Sequence, residues 1–421
     1  MKKRPNNIQH TFHTKEEFDA HIIALFDRKN YSKLANIFNN IRLRFDISIP
    51  YAIYQASSYE ENINSRISQS TINYSHCEFE GKVDIRSTAR ELNFYDKCWF
   101  RDELKIRSRD KNISFKNCEI SNLNLENAKF GNQGSSLGKL RIKSCIVNNT
   151  NFKNATFYAL VDFYYTVFTK NVVFYKTDFL NIIVLSATTF KANLLFTYTL
   201  LSDKVIMRAT QFKKGFDFSL AIIKGQLAIF NIEHGYKEYI TIKDPSNEKE
   251  YEKAVSEDGL IPLQNKLETY RILKVDFEKQ QNIPESLKFK RFEKRTYKHV
   301  LSTKKKSWDT SVDKATLWLN RWSNKHGTSA GRALLFTIGL GFFFFYFSAI
   351  ASNKFSWSGW EWSAVGDGIG YFFQFLIPTH KFSYLETAEP TGSLYYVLDF
   401  LGRIAVGYGI YQFIQAFRKF R

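Results

Sequence analysis

The sequence predicts a β-solenoid that is joined by helices to a C-terminal membrane domain with two transmembrane segments. Three features support this fold class. Large apolar residues recur at short, regular steps between about Tyr74 and Ile232, and a basic segment with helical periodicity follows them. Two long apolar stretches then occupy the chain after residue 332. Repetition at a fixed period is typical of solenoids, and apolar stretches of this length are typical of membrane spans.

The composition limits the class of protein. The chain has 421 residues, which is enough for two or three structural units. Its Lys and Arg residues outnumber Asp and Glu by 60 to 41, for a formal net charge of +19. Such an excess suits a nucleic acid, an anionic membrane surface or an acidic protein as partner. Residues 1–14 lack the apolar core of a secretory signal, so we expect most of the protein in the cytoplasm.

The repeat is clearest where three five-residue units follow one another from Cys118 to Asn132. Each unit has a large apolar residue at its centre and a smaller residue two positions earlier. Further along, the steps between centres alternate between 5 and 6 residues, at Phe152, Phe157, Phe163, Phe168, Phe174, Phe179, Leu185, Phe190, Phe196, Leu201, Met207, Phe212, Phe218, Ile223 and Ile229. Two 11-residue units make a four-sided coil of 22 residues, so equivalent side chains should stack in columns.

The position two before each centre also alternates between small and bulkier residues. It is small at Ala155, Thr166, Thr177, Thr188, Thr199, Thr210 and Ala221. This pattern resembles the pentapeptide-repeat family. The resemblance implies a right-handed quadrilateral β-helix, which we place at residues 71–235. Members of this family are scaffolds, and the outward positions here show no clustered acid–base pair, so we expect no enzyme activity from the solenoid.

The four cysteines occupy the small inward position of their units. They follow one another at steps of 21, 20 and 27 residues, so each lies about one coil from the next, at Cys77, Cys98, Cys118 and Cys145. The favoured interpretation is a column of buried thiols that act as small hydrophobic groups. A redox or metal role is the alternative. The spacing contains no CxxC pair, so we expect no zinc site and no disulfide framework.

The segments that flank the solenoid are predicted to be helical. In residues 1–70, a helix over residues 14–41 begins with a possible capping box of Thr14 and Glu17 and should cap the solenoid. Binding of a partner protein is the alternative for this helix. Residues 236–307 comprise a charged linker up to Asp258 and then a basic helical hairpin, which Asn282-Ile283-Pro284 divides.

The end of this hairpin is strongly basic between Lys288 and Lys306. Its position before a membrane segment favours attraction to anionic lipid over a merely solvated face, and nucleic acid is an unlikely partner. Residues 308–331 are predicted to form an amphipathic helix at the membrane interface, with packing against protein as the rival account. The residues expected at the membrane surface are Lys304, Lys305, Lys306, Trp308 and Trp322.

Residues 332–421 are predicted to form the membrane domain. The stretches Ala333 to Ser352 and Leu394 to Phe417 are each long enough to cross a bilayer as a helix. Between them, Ala364 to Ile377 has only 14 apolar and aromatic residues, which favours a re-entrant or interfacial half-helix ended by Pro378. Because basic residues precede the first span and follow the second, we expect both termini on the cytoplasmic side of an inner (plasma) membrane.

The second span contains two ionisable residues, Asp399 and Arg403, which share a helix face at a spacing of four. Such groups at membrane depth tend to face water or the interior of a bundle. Two interpretations remain open: the pair faces a lumen or subunit contact, or it forms an intrahelical pair near the outer interface.

The order of helix, short helix and helix resembles the potassium-channel-like pore module. That resemblance implies a filter strand at residues 378–382, which here lack the glycine-containing sequence of potassium-selective members. It also implies a homo-oligomer, with a tetramer favoured, because one hairpin cannot enclose a pathway. The candidates for pore-lining residues are Gln374, Thr379, His380, Asp399 and Arg403.

The sequence leaves three functions open. The first is an oligomeric membrane channel whose solenoid is a cytoplasmic sensor or assembly domain. The second is a membrane-anchored scaffold that does not conduct and presents the solenoid to a cytoplasmic protein partner. The weakest is a soluble enzyme, because the sequence contains no phosphate loop, nucleophile elbow or metal-ligand spacing. No cofactor is expected.

Overall fold

The computed structural model describes residues 8–27, 38–53, 57–69, 71–86, 91–107, 111–134, 136–234, 241–242, 245–352, 362–385 and 392–417. The chain divides into two compact units, Met1–Thr269 and Tyr270–Arg421. The first unit contains a β-solenoid of about 7 turns, and helices follow it, as the sequence predicts.

The solenoid is built from parallel sheets that run along its sides. In the described ranges, the largest sheet has 12 strands, at His10–Phe12, Ile41–Leu43, Ile47–Ile49, Glu78–Phe79, Val83–Ile85, Trp99–Ile106, Glu119–Asn124, Ile146–Asn151, Val167–Phe168, Thr189–Phe190, Gln211–Phe212 and Glu233–His234. The second has 8 strands, at Thr71–Ser75, Glu91–Tyr95, Asn112–Lys116, Leu140–Lys143, Val161–Asp162, Ile183–Val184, Val205–Arg208 and Leu227–Phe230.

Two smaller sheets form where the repeat is most regular. One has 5 strands, at Lys129–Phe130, Thr156–Phe157, Asp178–Phe179, Leu200–Leu201 and Ile222–Ile223. The other has 3 strands, at Val172–Val173, Leu194–Leu195 and Phe216–Asp217. Together with the two larger sheets they give the coil four sides, in agreement with the predicted quadrilateral section. A separate two-stranded pair joins Thr241–Ile242 to Ile261–Pro262.

Strand register confirms the predicted length of the coil. Phe157 pairs with Phe179, and Phe168 pairs with Phe190, so that one coil spans 22 residues. The predicted column of aromatic rings also forms. The ring of Phe174 lies 4.7 Å from that of Phe152 and 5.1 Å from that of Phe196, centroid to centroid. Since these rings are at most 1% exposed, the column is a continuous apolar core.

The small position of the repeat has a second role that the sequence pattern did not show. At this position the buried threonine hydroxyls donate to backbone carbonyls of the preceding coil. Thr177 donates to Phe152 O at 2.8 Å, Thr188 to Phe163 O at 2.8 Å, and Thr210 to Leu185 O at 2.7 Å. A buried hydroxyl without such a partner is costly. The threonine column therefore satisfies its own polar atoms and links each coil to the one before it.

The four cysteines are buried and reduced, and they lie on successive coils as predicted. The backbone amide of Cys118 lies 3.3 Å from the sulfur of Cys145. Burial raises the pKa of Cys77 and of Cys118 well above the ordinary value for a thiol. At Cys98 burial also acts to raise the pKa, but hydrogen bonds with the thiols of Cys118 and Cys77 lower it well below the ordinary value. All four side chains are at most 1% exposed, which favours the interpretation of the cysteine column as core packing.

The prediction for residues 14–41 is wrong in its extent. Helix α1 (Lys15–Asp27) begins as expected, but Ile41–Leu43 is a strand that pairs in parallel with Glu78–Phe79. The strand His10–Phe12 pairs with it in turn, so the parallel sheet includes residues before the predicted boundary at 71. The alternation of inward Ile41 and Leu43 with outward Arg42 is too short to identify a strand from sequence. A second helix, α2 (Ser58–Gln69), precedes the strand Thr71–Ser75.

The segment predicted as a linker up to Asp258 contains a helix, α3 (Glu248–Ser256), which is capped by Asn247. Its end packs on the solenoid, where Thr197 Oγ1 donates to Val255 O at 3.0 Å and Asn171 Nδ2 donates to Asp258 O at 2.8 Å. Only Ala254 and Val255 of this helix are buried. Its sequence therefore has no long apolar stripe at helical spacing, and the helix could not be predicted from periodicity.

Helix α4 (Leu263–Lys279) crosses from the first unit to the second. In the first unit, Asn265 and Thr269 both donate to the carboxylate of Asp217, which is only 1% exposed. In the second unit, α4 forms the predicted hairpin with α5 (Ile283–Thr303), where Asn282 caps the helix and a proline occupies its first turn. The rings of Phe277 and Phe289 stack at 5.4 Å inside this hairpin.

The remaining helices of the second unit are α6 (Trp308–Asn324), α7 (Ala330–Ala351), α8 (Trp362–Phe375) and α9 (Ser393–Phe417). Helices α7 and α9, of 22 and 25 residues, are long and apolar enough to cross a membrane. Only 39% and 28% of their most apolar windows are buried, so much of their surface presents apolar side chains outward. Examples are Leu335 and Phe342 on α7 and Phe400 and Ile404 on α9.

A substitution in the aromatic column tests this description of the solenoid core. We expect Phe174→Ala to lower the free energy of unfolding by about 3–5 kcal/mol, because it leaves a cavity between stacked rings. Tyr164→Ala is the matched control, since Tyr164 is 48% exposed on the same coil region, and it should change stability by less than about 0.5 kcal/mol. Denaturant unfolding followed by circular dichroism measures both. Equal losses for the two variants would contradict the proposed core.

Candidate functional site

The site lies where α7, α8 and α9 pack together, and two glycines allow the close approach. A side chain at Gly409 would collide with Thr337 of α7, and one at Gly402 would collide with the ring of Phe375 of α8. The backbone of α9 therefore lies directly against side chains of α7 and α8, and the end of α8 fits against α9. Small residues allow such close contacts between helices in membranes.

An apolar cluster surrounds the end of α8. Its buried members come from α7, α8, α9 and the turn after α8, and they are Phe345, Phe375, Tyr384, Leu385, Tyr395 and Val406. Among the polar groups next to it, the Tyr395 hydroxyl donates to Phe382 O at 2.6 Å. This bond attaches the turn after α8 to the first turns of α9.

Three of the predicted site residues meet in this cluster. The carboxylate of Asp399 is fully buried, and its two oxygens have different partners. His380 Nε2 lies 2.7 Å from Asp399 Oδ1, and Arg403 Nε lies 2.7 Å from Asp399 Oδ2. The guanidinium of Arg403 also lies over the ring of Phe382, 3.9 Å from its centroid. The buried carboxylate thus has a polar partner at each of its two oxygens.

The ring of His380 is held from both of its nitrogens. Nδ1 lies 2.8 Å from the carbonyl oxygen of Ile377, opposite the contact of Nε2 with Asp399. These two contacts, one on each nitrogen, fix the orientation of the ring. The three residues fix the turn between α8 and α9 to the second apolar helix.

Asp399 and Arg403 contact each other within α9, and His380 is a third member of the cluster. The choice between a pair that faces a lumen or subunit contact and a pair near the outer interface stays open. Gln374 and Thr379 lie outside this cluster and are exposed. The assignment of all five residues to the lining of a pathway stays a prediction. The partnership of His380 with Asp399 was not predicted, because 19 residues of unknown path separate them in the sequence.

A polar network near the C-terminal end of α9 was not predicted from the sequence. It links the last turn of α6 to α9: Asn324 Nδ2 donates to Gln415 Oε1 at 3.1 Å, and Gln412 Nε2 and the Tyr408 hydroxyl each donate to Asn320 Oδ1 at 3.2 Å. Asn320 and Asn324, like Tyr408 and Gln412, are four residues apart on one helix face. That spacing was the available signal.

The residues predicted at the membrane surface are accessible. Lys304, Lys305 and Lys306 are exposed, and Trp308 and Trp322 are 82% and 59% exposed. The indole of Trp322 stacks on that of Trp318 at 5.7 Å. An exposed aromatic face beside basic residues is typical of helices at the membrane–water interface.

A dense cationic region lies near the start of α7. His326, which is 9% exposed, is buried close to Arg291, Lys294 and Arg295 of α5 and to Arg321 of α6. Burial first, and then the repulsion from these four cations, lowers the pKa of His326 from 6.5 to about 4. The four cations concentrate positive charge around His326.

Comparisons of the chain with family models, with curated proteins and with solved structures find no match. Among the described residues, no group of three or more His, Cys, Asp or Glu could hold a metal ion. The geometry defines a β-solenoid protein with two helices that can cross a membrane.

A double-mutant cycle tests the buried cluster. Asp399→Asn should destabilise the second unit by about 3–5 kcal/mol, because it removes the fully buried carboxylate that Arg403 and His380 both contact. Combining it with Arg403→Gln should cost at least about 1 kcal/mol less than the sum of the single losses. Thermal melting in detergent measures these values, and Asp309→Asn, an exposed carboxylate on α6, is the control. Additive losses would show that the pair does not interact.

The environment of His326 predicts a pH dependence of stability. Because its pKa is depressed in the folded state, the unfolded chain binds the proton first as pH falls from 6.5 towards 4. Folding stability should fall through this window by about 1–2 kcal/mol, since partial access of solvent weakens the effect. His326→Gln should reduce the slope of melting temperature against pH. The prediction fails if wild type and variant give parallel curves between pH 7 and pH 4.

Proposed function

We propose that the protein is an oligomeric channel or pore of a bacterial inner membrane, with a pentapeptide-repeat β-helix as its cytoplasmic sensor or assembly domain. The observation that carries the proposal is the order of elements in the second unit. A long apolar helix, a short helix of 14 residues, a fixed turn and a second long apolar helix follow one another. This is the order of the potassium-channel-like pore module that the sequence resembles.

The turn after α8 supports this proposal through its polarity. Gln374 and Thr379 are exposed, whereas His380 between them and α9 is buried and bonded. A short helix with an anchored end can hold polar groups at a fixed depth, as a selectivity region requires. Residues 378–382 contain no glycine, so the proposal does not extend to potassium selectivity.

Oligomerisation is the second part of the proposal, because one hairpin cannot surround a pathway. Helix α8 has open space beside Gly366 and Gly370, which are one helical turn apart. Small residues at this spacing allow another helix to approach closely. The same helix exposes Ile369 and Phe373, which are 52% and 64% exposed. These surfaces are suited to contacts with lipid or with further copies of the chain, and the resemblance favours four copies.

Orientation follows from charge. Lys304, Lys305, Lys306 and Arg332 precede the apolar part of α7, and Arg418, Lys419 and Arg421 follow α9 in the sequence. Basic residues remain on the cytoplasmic side, so both ends of the hairpin belong there. The solenoid, which precedes the hairpin, then lies in the cytoplasm, where its exposed side can meet a protein partner.

One observation favours the alternative, a non-conducting scaffold anchored in the membrane. Asp399 is fully buried, and its partners His380 and Arg403 come from the same chain. The ionisable residues of the second apolar helix therefore have a structural role that needs no pathway. This alternative and the channel differ in whether ions cross the bilayer.

Ion flux separates the two functions. Purified protein of verified oligomeric size, reconstituted in liposomes and planar bilayers, should pass ions. Thr379→Val and Gln374→Leu should change the single-channel conductance by at least about threefold while melting temperature stays constant, because both residues are exposed polar groups near the turn. Ile369→Val on another face of α8 is the control. Absence of flux from a verified oligomer under all conditions would support the scaffold.

A further inference from the structure

A groove of about 860 Å³ lies between α6 and the first turns of α7, within the second unit. One end of the groove is cationic, and its residues there are Arg321 of α6 and Arg332 of α7. The other end is apolar and follows one face of α7 past Leu335, Gly339 and Phe343. The groove therefore changes from charged to apolar along its length, in the direction that α7 takes into its apolar stretch.

The two arginines are available to a ligand. Both side chains are exposed, and in the described part of the chain neither Arg321 nor Arg332 takes part in an ion pair. Guanidinium groups bind phosphate through paired, charge-assisted hydrogen bonds. The cations around His326 add to the positive potential beside Arg321. An anion is the complementary ligand for this end.

The apolar end of the groove is long, which suits an extended hydrocarbon chain rather than a compact ligand. Leu335, Gly339 and Phe343 are spaced four residues apart and extend over about 12 Å of helix. Leu335 and Phe343 are 71% and 52% exposed, and Gly339 has open space beside it. Trp322, which packs edge-on against Phe336 at 5.4 Å, stands at the boundary between the two ends. Indole rings prefer this depth, between headgroups and acyl chains.

We propose that this groove is a binding site for one anionic phospholipid per chain, with the phosphate between Arg321 and Arg332 and an acyl chain along Leu335, Gly339 and Phe343. The site rests on the membrane insertion in the proposed function and is independent of conduction. It ties the amphipathic helix α6 to α7 through a lipid of the cytoplasmic leaflet.

The test uses the full chain in mild detergent, titrated with phosphatidylglycerol and with phosphatidylcholine of the same short chain length. Native mass spectrometry counts bound lipids, and the shift in melting temperature gives affinity. We expect one phosphatidylglycerol per chain, bound at least about tenfold more tightly than phosphatidylcholine. Arg321→Gln and Arg332→Gln should each remove most of this preference. Lys314→Gln, which removes one charge from α6 outside the groove, should retain it.

Gly339→Leu tests the apolar end, because a Cβ atom at this position meets no protein atom within 4 Å and a leucine side chain would occupy the path of the acyl chain. This substitution should lower the affinity for phosphatidylglycerol and for phosphatidylcholine at least about fivefold. Gly407→Leu is the control, because Gly407 also has open space beside it but lies outside the groove, and this variant should bind both lipids as the wild type does.

Three results would overturn the proposal: equal affinity for the two lipids, unchanged binding in both arginine variants, or competition by inorganic phosphate at the same concentration as phosphatidylglycerol. The last result would identify a site for a free anion. Flux measurements do not enter this test, so a protein that binds the lipid without conducting would contradict only the channel. Fractionation of cells distinguishes a failure of membrane insertion from a failure of lipid binding. If insertion fails, the protein stays in the soluble fraction.

Discussion

The main constraint on this chain is that polar groups removed from water have to find partners inside the protein. The fully buried carboxylate of Asp399 shows the constraint most directly, since each of its oxygens is bonded to a cationic or ring N–H group 2.7 Å away. One of these partners, Arg403, comes from the same helix, and the other, His380, comes from the turn after α8. The position of that turn is therefore coupled to the charge of α9.

The first unit meets the same constraint by repetition. Parallel strands bond one coil to the next, and the inward threonines add a hydroxyl–carbonyl bond between successive coils. Stacked aromatic rings then fill much of the interior. Where the repeat ends, Asp217 is satisfied by Asn265 and Thr269 from α4. In each of these places a buried oxygen atom accepts a hydrogen bond from a group of a neighbouring element, or a buried hydroxyl donates one to it.

The second unit has one surface that is mainly apolar and another that is strongly basic. The outward side chains of α7 and α9 are mainly apolar, whereas α5 and the end of α6 concentrate positive charge around His326. The groove between α6 and α7 lies where these surfaces meet. A phospholipid has the same change of polarity along its length, and the proposed lipid site rests on this match. The polar network of Asn320, Tyr408 and Gln412 holds α6 near this boundary from the protein side.

The sequence by itself determined the elements whose signal is periodic or long. The alternation of 5 and 6 residues required a 22-residue coil, and Phe152 and Phe174 stack as that period demands. The apolar lengths of α7 and α9 and the shortness of α8 were also readable, because each depends only on local composition. Only the tertiary structure decided the strand at Ile41–Leu43, the docking of α3 through Val255, and the pairing of His380 with Asp399. These features are contacts between residues that are distant in sequence, and local periodicity contains no information about which distant groups meet. The chain must fold before a buried carboxylate can select its partners.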